Sequence, residues 1–212
     1  MCKLKSAIIL KNRVFVPEYD SHTEMLEELG IKDDYLNASK TFVRVELSPA
    51  DGDVFSDIDT WELSVDQDIM PEWYDEDIYK PQVVEAVKEW AKDHIHIGAD
   101  GLKIATGINH YIKDCKDIQI YGSATVNYIC GSATVKNICG SATVKYICDS
   151  ATVENAKGIS VIIGSKYGWN KKETLILAEN ATFKDCQTRT IYQSGDWKLV
   201  SVKNKNKIEK EN

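Results

Sequence analysis

The densest group of chemically active side chains is an acidic run from Asp51 to Asp77, which contains eleven carboxylates and no lysine or arginine. Its first part has the carboxylate spacing of a calcium-binding loop. Phe55 and Ser56, however, stand where such a loop requires an oxygen donor and a glycine. We therefore favour an acidic surface loop over a calcium site at the five spaced acids, Asp51, Asp53, Asp57, Asp59 and Glu62.

Spaced carboxylates can also imitate the phosphates of nucleic acid, because nucleic-acid sites in proteins neutralise closely spaced charge with lysine and arginine. The run is therefore predicted to bind a protein partner with a basic groove. A solvated face that keeps the domain soluble is the alternative. Aromatic side chains often anchor the core of a protein interface. The candidates lie within the run or just after it, and they are Phe55, Trp61, Trp73, Tyr74 and Tyr79. The candidate partner-binding residues are Asp51, Asp53, Asp57, Asp59, Asp66, Asp68, Trp73, Asp75 and Asp77.

Three cysteines recur every nine residues, at Cys130, Cys139 and Cys148, and such a row could supply metal ligands. Lys157 takes the same position in the next unit, and no histidine shares the spacing. The CxxC spacing that is typical of thiolate metal sites is absent from the sequence as well. We therefore expect reduced thiols that are buried or lie at corners, and no metal.

Two groups with histidine are the remaining candidates for chemistry. His94 and His96 would share a face of an extended segment, but they fall at the end of a predicted helix, where histidine interacts with the helix dipole. Asp20 and His22 would suit acid–base chemistry, but a helix cap already explains that segment and no nucleophile accompanies it. No phosphate-binding loop, dinucleotide fingerprint or catalytic triad is found. We predict no catalytic residue, no cofactor and no metal.

The three cysteines belong to a repeat in the second half of the chain. Four near-identical units of nine residues run from Gly122 to Lys157. Their sequences are GSATVNYIC, GSATVKNIC, GSATVKYIC and DSATVENAK. Repetition at a fixed short period indicates a stacked solenoid, with a corner at each Gly-Ser boundary. We predict an all-β, β-helix-like solenoid in which two units close an 18-residue coil or three close a wider triangle. The buried column would be Val126, Val135, Val144 and Val153.

A threonine in each unit lies between two inward residues and is expected to face solvent. Rows of outward hydroxyls occur on ice-binding solenoids, whose faces are broad and doubled. The row in this chain is single and short, so we expect a solvated strand face. Its members are Thr125, Thr134, Thr143 and Thr152.

The first half of the chain reads as an acidic α+β domain over residues 1–100. The sequence Ser21-His22-Thr23-Glu24 has the form of a capping box that begins a helix. Pro81 is expected to begin a second helix that runs to about His94, because proline is tolerated in a first turn. Period-two alternation and turn residues predict strands at Leu4–Leu10, Arg13–Pro17, Thr41–Leu47 and Thr60–Val65.

We predict two further segments, a solenoid domain over residues 101–202 that ends in capping strands and a basic polar tail over residues 203–212. A loop at Ser165–Glu173 is expected to break the nine-residue register. Residues 1–100 hold 23 acidic and 10 basic residues, a net charge of −13, and the remainder holds 10 acidic and 16 basic residues, a net of +6. This asymmetry favours two modules with different roles.

Composition restricts the class of protein further. No apolar stretch approaches the roughly 18 residues that span a bilayer. The apolar run near the N-terminus is interrupted by Lys11 and Arg13 and lacks a small-residue cleavage site, which argues against a signal peptide. Six cysteines in an unexported chain favour reduced thiols. The expected location is the cytoplasm.

Several segments resemble uncharacterised proteins of phages and prophages in gut Firmicutes. The resemblance rests on KSAIILKNRVFVPEYDSHTEMLEELGI, FVRVELSPADGDVF, WELSVDQDIMPEWY, VKEWAKDHIHIG and the tandem SATVxxI units. It implies a phage context and the cytoplasm of a bacterial host, and no residue roles. Small accessory phage proteins are often inhibitors of host defence, including anti-CRISPR proteins. Some pentapeptide-repeat solenoids are similar in being acidic mimics of DNA, although the acids of this chain lie outside its repeats.

We therefore predict a non-enzymatic binding module that inhibits a host defence nuclease through its acidic surface. Direct binding of nucleic acid is not expected, because a domain at −13 repels phosphates. A weak homodimer through the solenoid ends is a further possibility. The alternatives are a structural protein of the phage particle that oligomerises through the solenoid, and an enzyme of unrecognised type in the N-terminal domain.

Overall fold

The structure, a computed structural model, describes residues 4–164 and 175–195. The N-terminal module consists of four strands, three α-helices and a 3₁₀ turn at Ile58–Thr60. In chain order these are β1 (Lys5–Leu10), β2 (Arg13–Phe15), α1 (His22–Glu28), α2 (Tyr35–Ala38), β3 (Phe42–Ser48), β4 (Glu62–Val65) and α3 (Glu76–His94). The strands form one antiparallel sheet in the order β2-β1-β3-β4.

The predicted capping box begins α1, where the Ser21 hydroxyl accepts a hydrogen bond from the backbone N–H of Glu24 at 3.3 Å. Helix α3 begins earlier than the sequence predicted, at Glu76, and contains Pro81 in its second turn. The Asp75 side chain caps this helix by accepting from the N–H of Asp77, and two further acids in the first turn suit the positive helix end. These interactions outweigh the hydrogen bond that Pro81 cannot donate. The expected apolar stripe of α3 is buried, at Val83, Val84, Val87, Trp90 and Ala91.

Twelve short strands form the second module, and they confirm the predicted β-solenoid. They are β5 (Ile95–Ile97), β6 (Lys103–Ile104), β7 (His110–Lys113), β8 (Ile118–Ile120), β9 (Thr125–Cys130), β10 (Thr134–Ile138), β11 (Thr143–Ile147), β12 (Thr152–Ala156), β13 (Val161–Gly164), β14 (Ile176–Leu177), β15 (Thr182–Asp185) and β16 (Thr190–Gln193). They build a five-stranded sheet, β14-β12-β10-β8-β6, and a seven-stranded sheet, β16-β15-β13-β11-β9-β7-β5. All pairs are parallel except β15 with β16.

Strand register decides the size of a coil, which the sequence left open. Thr125 pairs with Thr143 in one sheet, and Thr134 pairs with Thr152 in the other. Residues one coil apart are therefore 18 positions apart, so each coil holds two units that lie on opposite sheets. The apolar positions of the units fill the space between the sheets, and the predicted valine column is buried, with Val126, Val135 and Val144 at 0% exposure and Val153 at 2%.

The corners of the coil require backbone with positive φ. Gly140 has φ +72°, and a Cβ there would lie 2.7 Å from the carbonyl oxygen of Gly122 one coil away. The opposite corner accepts aspartate, since Asp149 adopts φ +58° in place of the glycine of the other units. Its carboxylate accepts a hydrogen bond from the N–H of Gly131 at 3.0 Å, which compensates for the strained conformation.

The two modules meet where α3 runs directly into β5, which pairs with β7 of the solenoid. The sheet of the solenoid thus starts at Ile95. Tyr111 of β7 packs in the core of the N-terminal module, and Asn109 donates hydrogen bonds to the Glu18 carbonyl and to Asp20. At the other end, β15 and β16 continue the stack. The predicted loop Ser165–Glu173, residues 196–202 and the tail 203–212 lie outside the described residues.

We predict that Val135→Asp unfolds the solenoid, because it places an unpaired charge at a position with 0% exposure between the two sheets. The expected cost is about 3 kcal/mol or more. Thermal melting followed by circular dichroism measures it. Lys145→Asp, at an exposed position of β11, is the matched control and should melt within a few degrees of the wild type. Equal melting of the two variants would contradict the register.

Candidate functional site

The acidic run surrounds β4 and the start of α3, and all eleven of its carboxylates are exposed. Three of them lie near a basic side chain. Asp59 pairs with Lys88 at 2.7 Å, Asp53 lies 3.9 Å from Lys113, and Asp66 lies 3.1 Å from His22. The other eight have no ion pair among the described residues. Most carboxylates of the run are thus exposed without an ion pair among the described residues.

The first acids of the run hold the backbone of their own loop. Asp51 accepts from the N–H of Asp53, Asp53 accepts from Phe55, and Asp57 accepts from Asp59, at 2.9 to 3.1 Å. These are short-range turns of the kind that aspartate favours in loops. Within the part of the chain that the structure describes, these acids are absent from the groups whose ligand atoms converge within 4.8 Å.

The candidate partner-binding residues fall on different parts of the module. Asp59 and Asp77 line a shallow cleft of about 400 Å³ beside α3. Asp51 and Asp53 precede the 3₁₀ turn, whereas Asp66 and Asp68 follow the end of β4. The set is thus distributed over several segments of the module, and only Asp59 and Asp77 share a cleft.

The five aromatic residues that were candidate anchors pack in or against the core of the N-terminal module. Trp61 and Tyr79 are 1% and 7% exposed, so neither is available to a partner. Trp73 is half-buried, with its indole N–H donating to the Lys40 carbonyl at 2.7 Å and its ring 5.4 Å from that of Tyr79. Trp73 therefore keeps one exposed part beside Asp75.

One convergent group combines His22 and Asp66 with Glu46, which the sequence analysis did not single out. Its potential ligand atoms lie within 4.8 Å of one another, and His22 and Glu46 are each 8% exposed. His22 Nε2 lies 3.1 Å from the Val45 carbonyl and Nδ1 lies 3.1 Å from Asp66. Each ring nitrogen thus faces an oxygen atom. In β3, Glu46 alternates with the inward-facing Val45 and Leu47, so the sequence pattern predicts that it faces solvent. Its burial was therefore not predictable from the sequence.

Asp20 does not pair with His22, contrary to the acid–base arrangement that the sequence allowed. Its carboxylate bonds Lys5 Nζ at 2.7 Å and accepts from Asn109 at 2.8 Å. Lys5 is 0% exposed and lies over the Trp90 ring, with its Nζ 4.9 Å from the ring centroid. The group is an ion pair between a buried lysine and a partly buried aspartate at the joint between the modules.

Three imidazoles stack at the same joint. His94 ends α3, His96 lies in β5, and His110 begins β7, with ring centroids 5.2 Å apart for His94–His110 and 5.8 Å for His96–His110. Burial, with His94 nearby, lowers the pKa of both His96 and His110. The near-parallel rings do not bring three ligand nitrogens to one point among the described residues. Burial therefore favours the neutral form of His96 and of His110.

The regular rows of the repeat divide between the two sheets. Thr125 and Thr143 lie on one sheet, Thr134 and Thr152 on the other, and Thr152 is buried at 6% exposure. The expected single row of hydroxyls is therefore wrong, because the coil holds two units. The cysteines divide in the same way, so that Cys130 and Cys148 lie one coil apart while Cys139 follows a strand of the opposite sheet.

The thiols of Cys130 and Cys148 interact with each other. The neighbouring Cys130 thiol lowers the pKa of Cys148, whereas the neighbouring Cys148 thiol and burial raise the pKa of Cys130. Asp149 adds a carboxylate, and the three ligand atoms lie within 4.8 Å of one another. The group combines a partly exposed thiol with a buried one.

Comparison of the chain with protein-family models, with curated proteins and with solved structures finds no match. Among the described residues, no helix is long and apolar enough to cross a membrane.

The stacked histidines predict that acid weakens the fold. The pKa values of His96 and His110 in the folded state lie below the ordinary 6.5, so the unfolded chain binds more protons as the pH falls through that value. Protonation would also place charges beside His94. The melting temperature should decrease between pH 7 and pH 5.5, and His110→Gln should flatten that dependence. An equal slope in the variant would contradict the assignment.

Proposed function

We propose that this chain is a protein-binding module of phage type that acts in the cytoplasm of a bacterial host. Its acidic N-terminal module would occupy a basic groove on a partner protein, and the solenoid would serve as a rigid support. The resemblance to phage proteins extends the proposal to a defence nuclease as the partner. Inhibition would then arise because the module occupies the groove that nucleic acid needs.

The observation that carries this proposal is the exposure of all eleven carboxylates of the run, eight of them without an ion pair among the described residues. Exposed acids at this density produce a field that steers a basic partner toward the module. The same field repels phosphates, so we expect the module itself not to bind DNA.

Trp73 would supply the apolar part of the contact, since its ring is half-buried and lies next to Asp75, Glu76 and Asp77 in the chain. The hydrogen bond to Lys40 fixes its orientation before binding. A preorganised aromatic residue loses little entropy on association, which is why such residues dominate interface energies. Truncation of Trp73 should therefore raise the dissociation rate more than it lowers the association rate.

Neutralising three acids tests the proposal. The variant Asp68→Asn/Glu72→Gln/Asp77→Asn keeps Asp66, which contacts His22, and Asp75, which caps α3. Tagged protein would capture a partner from host lysate, and the purified partner would be tested for binding in rising salt and for displacement of its nucleic acid. We expect at least about tenfold weaker binding by the variant and a steep loss of wild-type binding with salt.

The matched control removes the same charge elsewhere, through Glu24→Gln/Glu27→Gln/Glu154→Gln at exposed positions of α1 and β12. It should bind almost as the wild type does. Equal losses in the two triple variants would indicate a general charge effect and contradict a specific surface. Retention of full binding by the first variant would leave the acids as a solubilising face, and a gel shift with DNA alone would overturn the proposal.

The alternative is an assembly role, and β16 is the observation that favours it. This strand is the last of its sheet among the described residues, and all four of its side chains are exposed, including Ile191 at 64%. A free strand edge with apolar side chains can pair with another chain. The same end would support the weak homodimer.

Light scattering distinguishes these roles. A mass near 23.9 kDa at high concentration, unchanged in Ile191→Lys, would support an isolated binding module. A mass that increases with concentration, and that returns to 23.9 kDa in this variant, would support assembly through β16. A charged residue on an edge strand is a common means of preventing such pairing.

A further inference from the structure

We infer that Cys130, Cys148 and Asp149 form a binding site for a thiophilic divalent cation of the Zn²⁺ class. The coil length is the first reason. Ile129 pairs with Ile147 across β9 and β11, so the cysteines that follow these residues lie side by side on adjacent coils. Cys139, at the same position of the intervening unit, follows β10 on the other sheet. An identical repeat thus yields one pair of thiols and one solitary thiol.

The third ligand comes from the one unit that departs from the glycine consensus. Three units begin with Gly122, Gly131 and Gly140, whereas the fourth begins with Asp149, directly after Cys148. Aspartate tolerates the positive φ of this corner, which brings its carboxylate back toward the coil beneath. The ligand atoms of Cys130, Cys148 and Asp149 all lie within 4.8 Å of one another.

The chemistry of this set selects the class of ion. Two sulfurs and one carboxylate oxygen suit soft or borderline cations and not Mg²⁺ or Ca²⁺, which take oxygen ligands. Zn²⁺ binds thiolate at about 2.3 Å, so two sulfurs in a tetrahedral site lie about 3.8 Å apart, within the observed limit. Binding would release the thiol protons, and a water would complete the tetrahedron.

The surroundings allow an ion to enter. Cys130 is 7% exposed, Cys148 is half-buried and Asp149 is exposed, so the site opens on one side to solvent. The thiols face backbone carbonyls as weak donors, Cys130 toward Ile112 at 3.6 Å and Cys148 toward Ile129 at 3.7 Å. Loss of these weak hydrogen bonds when a cation binds would cost the folded state little free energy.

Lys113, which pairs with Cys130 in register, is the nearby cation that could compete with a metal. Its Nζ lies 5.2 Å from the centroid of the Phe55 ring and 3.9 Å from Asp53. The ammonium group is therefore committed to the N-terminal module. The Lys113 ammonium group contributes to the electrostatic potential at Cys130 but does not occupy the metal site.

Titration of the reduced full chain with Co²⁺, followed by displacement with Zn²⁺, tests the inference. We expect one equivalent of Co²⁺ to produce a thiolate-to-cobalt absorption band that Zn²⁺ abolishes. The band should be lost or reduced to that of one thiolate in Cys148→Ala and in Cys130→Ala. It should persist in Cys139→Ala, the matched control. Asp149→Asn, which retains an acceptor for Gly131, should weaken Co²⁺ binding by about tenfold or more.

A second measurement covers the case in which a variant folds poorly. Zn²⁺ should raise the melting temperature of the wild type and of Cys139→Ala and leave that of Cys148→Ala unchanged, because an ion that binds only the folded state stabilises it. A wild-type chain without a band would overturn the inference. So would a band of wild-type intensity in Cys148→Ala, or one that disappears in Cys139→Ala.

Discussion

The 18-residue coil, fixed by parallel register between residues of alternate units, is the constraint on which the rest of this structure depends. Every residue of the repeat lies over its equivalent two units away, so backbone hydrogen bonds, buried columns and corners all recur together. The corners limit what is possible, since a side chain at Gly140 or Gly158 would contact the coil beneath at under 3 Å. Asp149 and Glu179 adopt positive φ at such corners and bond the N–H of the coil beneath, which shows how the repeat departs from glycine without losing its register.

The same constraint decides which side chains can act together. A repeat of nine residues in a coil of 18 sends alternate copies to opposite sheets, so a row in the sequence becomes two shorter rows in space. The threonines lose their regular face in this way, while two of the three repeat cysteines gain a neighbour. The tyrosines give a further example, because Tyr111, Tyr128 and Tyr146 stack at 5.9 and 5.2 Å along one sheet. Their ring faces cover one another, which stabilises the stack and leaves mainly edges to solvent.

Much of this architecture could be predicted from the sequence, and the failures have identifiable causes. The alanine, valine and isoleucine positions of the units are predicted correctly as core, because apolar residues recur at the same positions of each unit. The coil length was not predictable, since a small inward residue suits two sheets as well as three. Pro81 indicated a helix start that the Asp75 cap overrides. At the sites, the thiol pair depends on coil length, and Glu46 joins His22 only through the pairing of distant strands. Such convergence has no local signal.

The joint between the modules determines how the acidic surface is presented. Lys5 is fully buried, bonds Asp20 and the Tyr19 carbonyl, and lies over Trp90 of α3. Asp20 also accepts from Asn109 of the solenoid, so one buried charge orders β1, α3 and the first coil together. Desolvation makes such a pair a poor source of net stability, and its value lies in excluding other orientations of the groups that it joins. A module held in one orientation presents its carboxylates as a fixed pattern. A fixed pattern can match a groove that is itself shaped for the regular charges of nucleic acid. A mobile pattern would bind more weakly, because its carboxylates would have to be ordered on binding.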